Sequence, residues 1–156
     1  MKRFTALLLA AFLLLSLAAC GGSDGKTADP KTLADDMLAA LKAQGETMEV
    51  TGDTAENYYA MGDMVKDYRI YLSTMYIGEE VAVFRLAEGK KADDVKAMCQ
   101  QRIQDLKDSF DGYLPEEYAA VEENAVVLAS GDVVAMVTGT KEGVAAAKEV
   151  FDKALG

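Results

Sequence analysis

The chain has 156 residues, 27% of them charged, with a formal net charge of −10, no histidine and two cysteines. The acidic excess argues against nucleic acid as a partner, because such binding depends on Lys and Arg neutralising phosphates. Without histidine, a chain with two cysteines has few nitrogen or sulfur ligands for a metal. We therefore expect no metal site and no cofactor.

The first 19 residues have the three parts of a signal peptide. After a basic start, an almost wholly apolar stretch covers residues 4–17. It is shorter than the roughly 20 apolar residues that a membrane span needs. Leu17-Ala18-Ala19-Cys20 follows and resembles a lipobox, where bacterial lipoproteins are cleaved and acylated. We predict a lipoprotein signal peptide over residues 1–19, cleavage between Ala19 and Cys20, and lipid attachment to Cys20.

The alternative is an ordinary secretory peptide followed by a chance cysteine. A lipoprotein site requires a thiol at the new N-terminus, because the sulfur carries the diacylglycerol. Two or three acyl chains would hold the protein firmly, whereas one chain binds only marginally. Residues 20–29 then form the lipidated cysteine and a flexible tether. Loss of the two basic residues of the leader changes the net charge from −10 to about −12, which argues against electrostatic docking of the body onto anionic lipid.

The domain is predicted to begin with helices. Asp29 is a plausible N-cap and Gly45 a plausible stop for a first helix that starts at Pro30. A brief extended segment is expected at Met48 and Val50. A short helix over residues 55–61 follows, with Asp53 and Glu56 at the spacing of a capping box.

The remaining pattern alternates strand pairs with helices. Strands are predicted over residues 68–73 and 81–87, then a long helix over 92–112 and a short helical turn from Pro115. A second strand pair, over 126–129 and 133–138, turns at Gly131, and a last helix covers 141–155. We predict a single α+β domain over residues 30–156. It has a four-stranded antiparallel sheet in ββαββα order, the second pair central and the N-terminal helices packed on it.

The chain shows no constellation typical of an enzyme. If Cys20 carries the anchor, Cys99 has no disulfide partner, and its place among apolar helix positions predicts a small buried hydrophobe. The serines have no histidine base. Adjacent acids such as Asp93-Asp94 and Glu116-Glu117 diverge by about 100° on a helix, so they are expected to stabilise helix starts rather than converge on one ligand.

Tyrosine is the most informative aromatic residue here, because it combines apolar area with a hydroxyl and suits half-exposed surfaces. We predict a candidate binding face from Tyr71, Met75, Tyr113 and Tyr118. The alternative for Tyr71 is packing under the N-terminal helix.

Two segments carry a family resemblance. They are residues 75–85 (MYIGEEVAVFR) and residues 110–118 (FDGYLPEEY), the latter followed by a valine-rich hairpin through Gly131. With the lipobox, they resemble a bacterial lipoprotein family, domain of unknown function 4358, common in Gram-positive anaerobes. The resemblance implies a single domain on a Gram-positive membrane. It implies no activity, substrate or site.

These patterns together predict a lipid-anchored lipoprotein on the outer face of the cytoplasmic membrane. We expect a non-catalytic module that binds an envelope protein or a small ligand. The alternative is an envelope hydrolase that uses converging carboxylates. A solute-binding lipoprotein of a transporter is disfavoured because such proteins usually have two lobes, for which this chain is too short.

Overall fold

A computed structural model describes residues 27–74 and 78–156. Within these residues the helices are α1 (Pro30–Leu41), α2 (Gly52–Tyr58), α3 (Ala92–Phe110), α4 (Pro115–Asn124) and α5 (Lys141–Leu155). The strands are β1 (Thr47–Glu49), β2 (Val65–Ser73), β3 (Glu80–Leu86), β4 (Val126–Ser130) and β5 (Val133–Thr138). None of the described helices combines the length and hydropathy needed to cross a bilayer. The predicted signal peptide and most of the predicted tether lie outside the described residues.

Local signals located most helix starts. The Asp29 carboxylate accepts a hydrogen bond from the Thr32 backbone N–H at 3.0 Å, as its predicted capping role requires. Helix α1 ends earlier than predicted, because Lys42 rather than Gly45 takes the left-handed conformation, with φ of 53°.

The capping box predicted before α2 is wrong. The structure places Thr51 at the N-cap of α2, where it makes no side-chain capping bond. The Glu56 carboxylate instead accepts from the backbone N–H of Met61 at 3.0 Å and closes the turn that follows the helix.

The strands form one antiparallel sheet in the order β1-β2-β3-β5-β4. The predicted α+β class and antiparallel sheet are confirmed, but the predicted count of four strands is wrong. The fifth strand is β1, which pairs Thr47 with Ser73 and Glu49 with Tyr71. Its three residues are all exposed, so no alternation of buried and exposed positions marks it in the sequence.

The second strand pair, β4 and β5, was predicted to lie at the centre of the sheet, and this is wrong for β4. Strand β5 lies inside the sheet, but β4 forms an edge, and the central strand is β3. The sequence of β4 is apolar because α3 and α5 both contact it. The predicted helical turn at Pro115 is the ten-residue helix α4.

Helices cover both faces of the sheet. On one face, α1 and α5 pack over a cluster that includes Val81, Val83 and Ala135. On the other face, α3 and the α2 segment pack over a cluster that includes Phe84 and Met136. Helices α1 and α5 approach closely at one position: a Cβ added to Gly143 would lie 2.5 Å from the Leu41 carbonyl oxygen. The described residues therefore form three layers, with helices packed on both faces of the sheet.

A buried ion pair joins the second helical layer to the sheet. Glu80, the first residue of the central strand, is fully buried, and Nη2 of Arg102 on α3 donates to its Oε2 at 2.9 Å. The Tyr59 hydroxyl donates to Oε1 of the same carboxylate. The Arg102 guanidinium also lies over the Tyr58 ring, 4.5 Å from its centroid. One carboxylate thus connects β3, α3 and the end of α2.

The protonation of this cluster follows from its surroundings. Burial lowers the pKa of Arg102, but the charge and hydrogen bonds of Glu80 outweigh that effect and raise it above its usual value. Burial, followed by the charge of Glu80, raises the pKa of Tyr59 well above its usual range. The guanidinium therefore stays charged and the phenol stays a donor.

We expect Arg102→Met to lower the free energy of unfolding by about 3–5 kcal/mol, because it leaves the Glu80 carboxylate buried without a cation. Urea unfolding of the chain from residue 20, with Cys20→Ala, measures this. The matched control is Lys96→Met on the same helix, which breaks only the exposed pair with Asp93 and should cost at most about 1 kcal/mol. Adding Glu80→Gln to Arg102→Met should recover part of the loss. Equal effects of the two single changes would contradict this role of the buried pair.

Candidate functional site

The two ends of the sheet differ in position relative to the predicted tether. Strand β3 runs about 20 Å from Glu80 to Leu86. At its far end, Nη2 of Arg85 donates to the carbonyl oxygen of Ala28 at 2.7 Å, just before α1 begins. The last residues of the predicted tether therefore lie at this end, which we call the proximal end. The end at which β3 begins is the distal end.

A groove of about 220 Å³ lies at the distal end. Its walls come from the segment before β3, the segment between β5 and α5, and the first two turns of α4. We call it the distal groove, and its lining residues are Gln44, Gly78, Glu79, Glu116, Glu117, Ala120, Gly139 and Thr140.

Glu79 is the most unusual residue of the distal groove. Its side chain is buried, with 7% of the residue exposed. Its Oε2 accepts a hydrogen bond from the Gln44 backbone N–H at 2.9 Å. Within the described residues, no Lys or Arg forms an ion pair with it. Because a buried carboxylate is costly without a counter-charge, this position favours a positively charged group in the groove.

Two further carboxylates line the same groove. Glu116 and Glu117 lie in the first turn of α4, where the helix dipole favours negative charge, as predicted. Although they are adjacent on the helix, both side chains line the distal groove.

The predicted binding face is not assembled as one surface. The Tyr71 hydroxyl donates to the Asp35 carboxylate on α1, so this tyrosine packs under the N-terminal helix, which was the alternative. Tyr118 packs in a separate cluster beside α3, with Nζ of Lys107 5.3 Å from its ring centroid. Tyr113 is 80% exposed in the turn before α4. Met75 lies outside the described residues.

The predicted burial of Cys99 is confirmed, with none of its surface exposed. Burial and then the charge of Glu80 raise the pKa of its thiol to about 12, so it is a poor nucleophile at neutral pH. Ala19 and Cys20, the predicted cleavage and lipid-attachment residues, lie outside the described residues. Within residues 27–74 and 78–156, no group of three or more Cys, Asp or Glu is placed to hold a metal ion.

Another groove, of about 360 Å³, lies between α2 and α3. Its rim is acidic, with Glu56, Asp94 and Asp105. Arg102 at its base is already bound to Glu80, and the Glu56 carboxylate is bound to backbone N–H groups. The distal groove is therefore the better candidate for a binding site, because its buried Glu79 carboxylate has no cationic partner among the described residues.

Sequence reasoning did not find Glu79. In the sequence, Glu79 and Glu80 have the pattern of a polar turn before an apolar strand. In the structure both side chains are buried, Glu79 beside the distal groove and Glu80 in the core. The only indication in the sequence was that two acids directly precede a wholly apolar strand, and this pattern does not show that the two acids have different environments.

We expect Tyr71→Phe to raise the pKa of Asp35, which the hydrogen bond from Tyr71 now lowers. A carboxylate with a lowered folded-state pKa adds stability above its unfolded pKa of about 4 and loses that contribution as the pH falls through its folded pKa. The acid dependence of stability should therefore flatten in the variant. ¹³C NMR titration of the Asp35 carboxyl measures the shift. Tyr113→Phe is the control, and a similar Asp35 shift in both variants would contradict the assignment.

The comparisons agree with the family resemblance. The model of the family described as "Domain of unknown function (DUF4358)" matches residues 39–139. The matched range runs from the end of α1 to the end of β5, and it includes every residue of the distal groove except Thr140. No curated protein and no solved structure matches the chain. Because the match covers well over half of its residues, the chain belongs to the DUF4358 family.

Proposed function

We propose that this protein is a non-catalytic binding module, anchored by lipid on Cys20 to the outer face of the cytoplasmic membrane. Its distal groove receives a positively charged group of an envelope protein or a small ligand. The binding role rests on one observation: the Glu79 carboxylate is buried beside a groove and has no cationic partner among the described residues.

The anchor part of the proposal is supported by the sequence. Cys20 ends an apolar leader at the position that a lipobox requires. Gly21, Gly22, Ser23 and Gly25 are small residues typical of a flexible connection to the domain. Ala28 contacts the proximal end, and the distal groove lies about 20 Å away. An anchor on Cys20 would therefore leave the groove accessible from the side away from the membrane.

The size of the distal groove bears on the kind of ligand. Its volume of about 220 Å³ is below the range of about 300–1,000 Å³ typical of pockets that enclose a small molecule. A groove of this size is suited to a single side chain or a compact cationic group. We therefore favour a Lys or Arg side chain of an envelope protein over an enclosed metabolite.

The anchor is tested by Cys20→Ala. Expressed with its leader in a Gram-positive bacterium fed a radiolabelled fatty acid, the natural chain should take up label and sediment with membranes. The variant should take up none, because no sulfur remains to carry diacylglycerol. Cys99→Ala is the control and should be labelled normally, since Cys99 is buried. Label on the Cys20→Ala chain would contradict lipidation at Cys20.

The groove is tested by charge removal on α4. We expect Glu116→Gln combined with Glu117→Gln to abolish or strongly reduce capture of an envelope partner in cross-linked native membranes. The matched control is Glu122→Gln with Glu123→Gln, the same change of charge on the same helix outside the distal groove. Equal capture by both double variants would show that the groove does not bind the partner.

One observation favours the alternative, an envelope hydrolase. Three glutamates line the distal groove, and carboxylates held together can act as acid and base. In that case Glu116→Gln or Glu117→Gln would abolish hydrolysis of isolated cell-wall material by the purified chain while leaving partner capture unchanged. The binding module predicts no such hydrolysis by the natural chain.

A further inference from the structure

An exposed tyrosine lies beside the distal groove and makes little contact with the rest of the fold. Tyr113 is 80% exposed, more than any other large apolar side chain of the described residues. It comes three residues before Glu116 and four before Glu117, and both of these glutamates line the groove. Single apolar residues are common on protein surfaces, so the setting of this tyrosine decides whether it has a role.

The turn that carries Tyr113 is held in one conformation. Gly112 has φ of 67°, which glycine adopts at no steric cost. The backbone N–H groups of Tyr113 and Leu114 both donate to the carbonyl oxygen of Phe110, at 3.0 and 2.9 Å. Phe110 and Leu114 pack in one apolar cluster, so the backbone around Tyr113 is fixed while its ring remains in solvent. A tyrosine on a fixed backbone loses little conformational freedom when a partner binds.

The same turn packs against a wall of the distal groove. A Cβ added to Gly78, which lines the groove, would lie 3.7 Å from Cε2 of Phe110 and 4.0 Å from Cβ of Glu117. Because three residues span at most about 11 Å, the Cα atoms of Tyr113 and Glu116 lie within that distance. An extended chain rises about 3.3 Å per residue. A protein segment with one side chain in the groove therefore reaches Tyr113 with a residue one to three positions away.

The charges around the distal groove favour an approach over this turn. Residues 111–124, which form the turn and α4, contain acids but no Lys or Arg. Lys42 and Lys141 are close in the chain to Gln44 and Thr140, on the walls that α4 does not form, and they make no ion pair within the described residues. A basic segment is therefore attracted over the turn and repelled over the other walls.

We infer that the distal groove and Tyr113 form one docking surface for a protein segment in which a Lys or Arg lies one to three positions from an apolar residue. The basic side chain enters the groove beside Glu79, and the apolar residue packs on the Tyr113 ring. This inference rests on the proposed function, because it takes the groove to receive a positively charged group. It adds that the partner is a protein rather than a small ligand, and that Tyr113 is an aromatic anchor of the interface.

Random linear peptides displayed on phage test this surface before the partner is identified. The full chain is immobilised in mild detergent, and the peptides that it retains are sequenced. We expect enrichment of Lys or Arg, with an aromatic or large aliphatic residue one to three positions away. Tyr113→Ser should lose the selected apolar position, whereas Tyr113→Phe should keep it, because the ring remains. A synthetic peptide with the selected sequence should bind the serine variant about tenfold more weakly, the loss typical of an aromatic anchor.

The acidic wall supplies a second comparison. Glu116→Gln with Glu117→Gln should remove the enrichment of basic residues, and the matched Glu122→Gln with Glu123→Gln should leave it. If the apolar position persists with Tyr113→Ser, or is absent from the basic peptides that the natural chain retains, the inference is overturned and the proposed function stands. Absence of any enrichment of basic residues would contradict the proposed function and this inference with it. Because Tyr113 lies in solvent, its replacement removes no core contact that could mimic these outcomes by unfolding.

Discussion

The Glu80 carboxylate is the constraint around which one half of this fold is arranged. It occupies the first position of the central strand and is fully buried. It therefore needs the Arg102 guanidinium from α3 and the Tyr59 hydroxyl from the end of α2. These two contacts hold α3 and the end of α2 to the same position of the central strand. Removing one partner of such a pair leaves an uncompensated buried charge.

The other half of the fold depends on close apolar contact. Helices α1 and α5 have no buried ion pair to the sheet among the described residues, and they lie over its valine-rich face. Gly143 allows the backbones of these two helices to approach, and the Tyr71–Asp35 hydrogen bond joins α1 to β2 near the edge of the sheet. Among the described residues both sheet faces are used in packing, and the distal groove lies at one end of the sheet.

The two ends of the sheet differ in what their polar groups contact. At the proximal end Arg85 binds the Ala28 carbonyl, and acids such as Asp63 and Asp67 lie beside the cations. The distal end holds the buried Glu79 carboxylate, which has no cationic partner among the described residues, and two more glutamates. Acidic side chains therefore lie at both ends, and the buried Glu79 is what distinguishes the distal groove.

The sequence by itself determined the family, the α+β class and most helices and hairpins. The 3.6-residue period of α5, the Gly131 turn and the Asp29 cap are local signals, because each depends on residues within a few positions of one another. The leader and Cys20 are equally local, and they carry the prediction of an anchor. Local patterns indicated an extended segment at Met48 but did not place it in the sheet as β1, and they placed β4 at the centre rather than at the edge of the sheet.

Only the tertiary structure decided which polar residues act together. Glu79 and Glu80 are neighbours in the chain, yet one meets Gln44 and the other meets Arg102, which are 35 and 22 positions away. The predicted face of Tyr71, Tyr113 and Tyr118 was divided for the same reason, since each tyrosine follows its own element into a different layer or turn. Sites of this kind depend on contacts between distant elements. A single sequence does not show these contacts, because the residues next to an acid in the chain do not indicate whether its side chain is buried.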